Sequence, residues 1–267
     1  MLTNLTKASF ITAIEENLFV LFPLLDQWSE LEFLDTPEML WTLTKIPFPL
    51  FNSVSRAILA PDNVDIAIDA AVSRCKTNNV PMMWWIGPST QPADLGDKLI
   101  DRGFHQYDNS GMAVDLEVLP ENPEYPDDLV IKLVDSDEDL ETWCRVLCEA
   151  FGMPDFVGTA FFNFTRRLGY ETQRPYTCYL GSINGEAVAT ASLLLGAGVA
   201  GIYNVATLES ARRKGIGAAM TIKPLLDART NGYRVGILHS SEMGFNMYSG
   251  LGFQEYCKIS QYVWSDS

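Results

Sequence analysis

The chain has 267 residues, 19 basic against 34 acidic for a formal charge of −15, and is 47% hydrophobic. That length holds two small domains or one large one, each with its own core, and the composition argues against a chain disordered throughout. No apolar run reaches the roughly 20 residues of a membrane helix, and the N-terminus lacks the basic start and cleavage site of a secretion signal. Such acidity also opposes non-specific binding to nucleic-acid phosphates.

The elements read as follows, in chain order. Residues 6–25 read as a helix, 40–46 and 51–59 as strands, and 64–76 as a helix. A buried strand is expected at 82–86, a helix at 94–102 and a strand at 104–116. Residues 120–128 hold three prolines and four acids with no apolar periodicity, which reads as a solvated linker. The domains are therefore expected at 1–119 and 129–267. Beyond the linker come a strand at 130–134, a helix capped by Ser136 and a second helix at about 155–168. Strands at 176–183 and 186–195 flank Asn184-Gly185, a two-residue hairpin signal. A strand at 199–207 follows, then a helix at 215–230 with Pro224 inside it. A strand at 234–239, a helix at 243–250 and a strand at 253–264 complete a mixed α/β sandwich.

The two parts differ in composition. Up to Asp128 there are 7 basic and 20 acidic residues, and only four of the 19 glycines precede residue 120. Leu99-Ile-Asp-Arg-Gly-Phe-His-Gln-Tyr107 nevertheless parallels Tyr248-Ser-Gly-Leu-Gly-Phe-Gln-Glu-Tyr256, each after a strand and helix and before a strand. This points to two copies of one fold. Five cysteines, an odd number with no CxxC pair, indicate a reduced, cytoplasmic protein without a disulfide framework. Two histidines argue against a His-built metal site and against a Ser-His-Asp triad, and no metal is expected.

The segment carrying chemistry is Val205-Ala-Thr-Leu-Glu-Ser-Ala-Arg-Arg-Lys-Gly-Ile-Gly-Ala218. A strand runs into a glycine loop that opens a helix. Backbone N–H groups there can converge on one point, and the helix dipole adds positive potential. Arg212, Arg213 and Lys214 add charge, so the segment suits a pyrophosphate. It contains neither a GxxxxGK[ST] P-loop nor a complete GxGxxG fingerprint.

Arg212-x-x-Gly215-x-Gly217-Ala218 resembles the acyl-CoA loop of the GCN5-related N-acetyltransferases (GNAT). Val205-Ala206-Thr207 is similar to the end of that family's fourth strand. Tyr248, followed by Leu251-Gly252-Phe253, resembles its second motif. The resemblance covers about residues 129–264. It implies two GNAT-like domains, the C-terminal one complete and the N-terminal one degenerate. The amides of Arg213, Lys214, Gly215, Ile216, Gly217 and Ala218 would hold the CoA pyrophosphate. Val205, Ala206 and Thr207 would pair with the pantetheine as an added strand, one amide polarising the acetyl carbonyl. Tyr248 would protonate the leaving thiolate. Where the family often has an asparagine this chain has Ser241, with Asn246 as a nearby substitute. The fourth strand lacks the carboxylate that serves many members as base, which leaves Glu242, Glu149 or His239 through a water, or a water alone.

The first copy has Leu99 where the second has Tyr248, and no glycine between Leu59 and Met82 to build a cradle. The implied activity is therefore acetyl-CoA-dependent N-acetylation at one site per chain. The amine acceptor would attack the thioester directly. The rival readings are a silent acyl-CoA-binding sensor and an acyltransferase with a different donor. Exposed strand edges in this fold permit a homodimer, which the sequence does not decide. The phenylalanines at 151, 156, 161, 162 and 164 suit a core stripe or an acceptor pocket. Adjacent Trp84 and Trp85 should face a domain core and the interdomain contact, respectively or in reverse.

Overall fold

The fold is that of a computed structural model, which describes residues 1–25, 31–121, 123–171 and 174–266. A 19-residue helix, α1 (Lys7–Leu25), is followed by three short strands, β1 (Glu32–Asp35), β2 (Leu40–Leu43) and β3 (Ser53–Ser55). Then come α2 (Val64–Asn78), β4 (Met82–Ile86), α3 (Leu95–Ile100) and β5 (His105–Asp115). The stretch expected as a linker leads on to β6 (Leu129–Leu133); its Asn122 lies outside the described residues. Two helices, α4 (Asp137–Phe151) and α5 (Asp155–Arg167), precede the meander β7 (Tyr176–Ile183), β8 (Glu186–Gly196) and β9 (Val199–Thr207). The chain closes with α6 (Ile216–Thr230), β10 (Val235–Ser240), α7 (Glu242–Gly250) and β11 (Gln254–Trp264).

Local chemistry sets these boundaries. The Ser136 hydroxyl accepts the Asp139 amide at 3.2 Å and caps α4. Asn184 and Gly185, with φ of 50° and 82°, make the turn between β7 and β8. Helix α6 runs through Pro224 and ends with Tyr233 N–H donating to Ala228 O at 3.1 Å around left-handed Gly232.

The eleven strands among the described residues form one mixed sheet, in the order β1-β2-β3-β4-β11-β5-β10-β9-β8-β7-β6. The boundary at 120–128 separates the chain but not the sheet. Each half hands its last strand to the other. β5 pairs antiparallel with β10, from Val235↔Asp115 to Ser240↔Ser110. β11 pairs antiparallel with β4, from Ser260↔Ile86 to Trp264↔Met82. The exchanged strands then pair with each other, from Gln254↔Ala113 to Val263↔His105. They approach closely at Gly111, where a Cβ would lie 2.6 Å from Cys257 Sγ and 3.0 Å from Ile14. The connections match across the exchange: β3-α2-β4 and β9-α6-β10 both join parallel neighbours through a helix.

Alternation along the strands distributes the core. Trp84 packs with α2 and α3 residues such as Ile68 and Leu99, while Trp85 joins the opposite face under α1, α4 and α5. That second cluster belongs to neither half alone: Ile14, Phe22 and Phe51 meet Trp143, Phe161 and Ile237. On the α6 and α7 side, Met220, Leu225 and Phe253 pack with Leu238. Helix α1 is pinned across the boundary by polar bonds. Buried Asn17 donates to Leu194 O (3.2 Å) and Gly196 O (2.9 Å) of β8 and accepts from Tyr203 Oη (2.9 Å) of β9. Buried Glu15 accepts the Ser89 amide and hydroxyl, both at 2.9 Å, beyond the end of β4.

Candidate functional site

The site begins with a fault in the pairing of β9. Against β10 the parallel register holds from Ala200 to Ile202 and then stops, though β9 continues to Thr207. Against β8, Tyr203 pairs with Ser192 but Ala206 pairs with Thr190, so Asn204 and Val205 oppose the single residue Ala191. This is a β-bulge, with Asn204 at φ 53°. A strained asparagine needs partners, and it has them. Its Nδ2 donates to Tyr176 Oη (3.0 Å) and Ser192 Oγ (3.1 Å), and its carbonyl accepts from Thr190 Oγ1 (2.8 Å). The Trp143 indole donates to Ala191 O at 3.3 Å. The bulge bends β9 away from β10 and opens the sheet.

A cavity of about 310 Å³ fills the opening. The C-terminal half contributes Ile202, Tyr203, Asn204 and Val205 of β9, Leu238 and His239 of β10, Ser241 and Tyr248. Phe151, Phe161 and Phe164 of α4 and α5 form another wall. The N-terminal half contributes Leu18, Leu21 and Phe22 of α1, Leu50 and Phe51, Trp85 of β4 and Asn109 of β5. Phe156 is exposed instead, and Phe162 lines a separate groove between α4 and α5.

Tyr248 is buried, with its ring edge-on to Phe253 at 6.0 Å. Burial pushes its phenol up to about 12, partly offset by the Thr221 hydroxyl of α6. His239 lines the cavity beside Trp85 and Tyr203, with ring centroids 6.5 and 5.8 Å away. Burial lowers its pKa to about 4, so the imidazole is neutral at pH 7. Its Nε2 lies 3.3 Å from Ile14 O. A carbonyl only accepts, so Nε2 carries the proton and Nδ1 keeps a lone pair. Of the three bases considered from sequence, only His239 is on this cavity. Glu242 and Asn246 line a polar cleft with Asp108, Glu255 and Lys258, and Glu149 lines the α4–α5 groove, 3.6 Å from Arg145.

The loop after β9 forms the second part. Arg213 and Gly215 have φ of 61° and 78°, which turns the chain into α6 with no side-chain cap. The first helical bond is Ala219 N–H to Gly215 O at 3.1 Å, so the amides of Ile216, Gly217 and Ala218 precede the ladder. Arg213 and Lys214 are exposed beside them. Arg212 is engaged within the protein. Its guanidinium donates to Thr207 O (3.0 Å) and Ala150 O (3.2 Å), tying the loop to β9 and the end of α4. Gly217 is close to α7: a Cβ there would sit 3.2 Å from Met247 Sδ and 3.9 Å from Thr207 Oγ1. Ser241 begins α7 with no capping bond from its side chain.

The structure thus brings Val205, Ser241 and Tyr248 to one cavity and places the 213–218 amides at the start of α6, but puts Asn246 elsewhere. Sequence reasoning missed Asn204, Tyr176 and Tyr203. The one signal was a polar Tyr-Asn pair inside an otherwise apolar strand.

Fold and site together define the class: a mixed α/β protein with the acetyltransferase fold, free backbone amides at a helix start and a cavity at a split in the sheet. Residues 140–253, less than half of the chain, match the family model described as Acetyltransferase (GNAT) family. No curated protein matched. Among solved structures, a GCN5-related N-acetyltransferase from Kribbella flavida superposes with a TM-score of 0.70 at 17% identity, over 100% of this chain and 98% of that one. A GCN5-related N-acetyltransferase from Sphaerobacter thermophilus gives 0.60 at 17%, over 97% and 93%. A tandem GNAT protein from the clavulanic acid biosynthesis pathway gives 0.57 at 14%, over 85% and 78%. Among the described residues, no helix is long and apolar enough to cross a membrane, and no three His, Cys, Asp or Glu side chains are grouped to hold a metal ion.

Proposed function

We propose that the chain is an acetyl-CoA-dependent N-acetyltransferase with one acyl-CoA site, in its C-terminal half. The observation that carries this reading is the alignment of three features along one path. The uncapped amides of Ile216, Gly217 and Ala218 lead to the unpaired edge of β9 at 203–207, and that edge leads to Tyr248 on the cavity. The residues fit the cosubstrate: open amides and cations for its phosphates, a free strand edge for its amide-bearing arm, a cavity at the end.

Acetyl-CoA would supply the activated acetyl thioester. The amides of residues 213–218, with Arg213 and Lys214, would bind its pyrophosphate. Val205, Ala206 and Thr207 would pair with the pantetheine, and an amide of that edge would polarise the carbonyl. Arg212 would hold the loop in place through Thr207 O and Ala150 O rather than contact phosphate. Ser241 would hydrogen-bond the arm. Tyr248 holds its proton throughout the physiological range and would release it to sulfur as the C–S bond breaks. A phenol at about 12 is a weaker acid than a free thiol near about 8.5, so that transfer must accompany bond cleavage. The N-terminal half would be the degenerate copy, supplying acceptor-side walls. The five free thiols of the whole chain and its acidic charge suit a reduced, cytoplasmic setting.

One observation favours a second reading, a silent acyl-CoA sensor: among the described residues lining the cavity there is no carboxylate to act as base. Tyr248→Phe separates the two. Thiol release from acetyl-CoA in the presence of an amine should fall about 100-fold or more, with acetyl-CoA binding retained. Wild-type protein that binds acetyl-CoA but releases no thiol with any amine is the sensor's result.

A further inference from the structure

We propose that the acceptor is an amine that is uncharged at neutral pH, an aromatic amine carrying a hydrogen-bond acceptor, gripped by residues of both halves. This rests on the acetyltransferase reading above and names its acceptor class.

The lining supports it first. Of twenty described residues on the cavity, nine are aromatic and none is Asp, Glu, Lys or Arg. An alkylammonium entering this space would lose its water and find no counter-ion, which is strongly unfavourable. A neutral aromatic ring would exchange water for Phe51, Phe161 and Trp85.

Proton inventory leads to the same class. Among the described residues, the titratable groups on the cavity are His239, Tyr176, Tyr203 and Tyr248. Burial pushes all three phenols up, and holds His239 as a very weak base. None can deprotonate an alkylammonium. A neutral amine does not need this. Its nitrogen lone pair forms the new N–C bond, and the C–S bond breaks with its electron pair going to sulfur. Tyr248 gives sulfur a proton, and the surplus proton on nitrogen returns to the Tyr248 oxygen. Amide and thiol result, and no separate base is consumed.

Unpaired polar atoms supply the specificity. Trp85 is 8% exposed and its indole Nε1 has no hydrogen-bond partner. That N–H can only donate and is closed off from water, so a ligand that reaches it must bring an acceptor atom. His239 Nδ1 offers the complementary lone pair for an amine N–H. Trp85 is on β4, so this contact comes from the N-terminal half.

The test uses two isomers, 4-ethoxyaniline and 4-methoxybenzylamine, which share a ring and an ether but differ in amine charge at neutral pH. Full-length protein is assayed for thiol release from acetyl-CoA at pH 7, and acetyl-CoA binding is measured in parallel by calorimetry. The expected result is acetylation of 4-ethoxyaniline with kcat/KM about tenfold or more above its isomer. Asn109→Asp, a near-isosteric change, places a carboxylate on the wall and should shift the ratio about tenfold toward the benzylamine, with melting temperature as the folding check. Trp85→Phe should raise KM about fivefold for 4-ethoxyaniline and leave 4-ethylaniline, which lacks the oxygen, little changed. Acetyl-CoA binding with the benzylamine preferred, or with neither isomer turned over, overturns this inference and leaves the acetyl-CoA site standing. Absence of acetyl-CoA binding overturns both.

Discussion

The two helices that link parallel strands, α2 and α6, occupy matching places on either side of the exchanged strands, yet their N-termini differ. Helix α6 starts with left-handed Gly215, free amides, no acid in its first turn and Arg213 and Lys214 just ahead. Helix α2 starts from Pro61-Asp62-Asn63 and has Asp65 in its first turn. An acidic first turn already satisfies the helix dipole and repels phosphate. Likewise Tyr248 on α7 reaches the cavity, whereas Leu99 on α3 is fully buried with Ile68 and Trp84. On the proposed function, one scaffold carries a reactive end and an inert end. The N-terminal half contributes to the cavity: α1, Trp85 and Asn109 wall it from that side.

The comparison can be broken most forcefully at Tyr248. Its replacement by Phe should cost about 100-fold or more in turnover at unchanged acetyl-CoA affinity. Equal activity in the variant removes the tyrosine from the chemistry and with it the contrast to Leu99.

The next largest effect concerns the joint between the halves. Asn17→Ala leaves the Tyr203 hydroxyl and the Leu194 and Gly196 carbonyls without their partner, and should cost about 2–4 kcal/mol in urea denaturation. A loss below about 0.5 kcal/mol would mean that α1 is not pinned by this residue.

The pH dependence of stability sharpens the account of the cavity. An unfolded histidine titrates near about 6.5 and folded His239 near about 4. Between these values the unfolded chain binds more protons. His239 therefore contributes stability fully above pH 6.5, and this is lost as pH falls toward 4, by at most about 3 kcal/mol. A His239→Gln variant should lack this component. An unchanged profile would contradict a neutral, buried imidazole.

The smallest effects separate the two helix starts. Ala218→Glu should weaken acetyl-CoA binding about tenfold through repulsion of phosphate, while melting temperature holds, because an acid in a first helical turn suits the dipole. Asp65→Asn on α2 should leave acetyl-CoA affinity within about twofold. An effect of Asp65 as large as that of Ala218 would place a phosphate site on the wrong helix.

Much of this was legible in the sequence. From β6 onward the expected elements fall within one or two residues of those observed, because capping serine, Asn-Gly turn and helix-ending glycine act locally. Trp84 and Trp85 divided as strand alternation requires. The strand exchange was not legible. β5 and β11 carry similar patterns and either could pair with β4 or β10, so the choice depends on tertiary packing such as the close approach at Gly111. β1 was missed because Glu32-Phe-Leu-Asp35 has charged ends and only two apolar residues. The bulge was hidden as well. Asn204 is held by Tyr176, Ser192 and Thr190, partners 12 to 28 residues away, so no local spacing announces it. The partners of Arg212, two backbone carbonyls, leave no mark in sequence.

The central claim is one acyl-CoA site per chain, built at the start of α6 and absent from the start of α2. Calorimetric titration of the full chain with acetyl-CoA, alongside the Ala218→Glu variant, tests it most directly. The account predicts one equivalent bound per chain, weakened in the variant. Two equivalents, or a single one indifferent to Ala218→Glu, would contradict it.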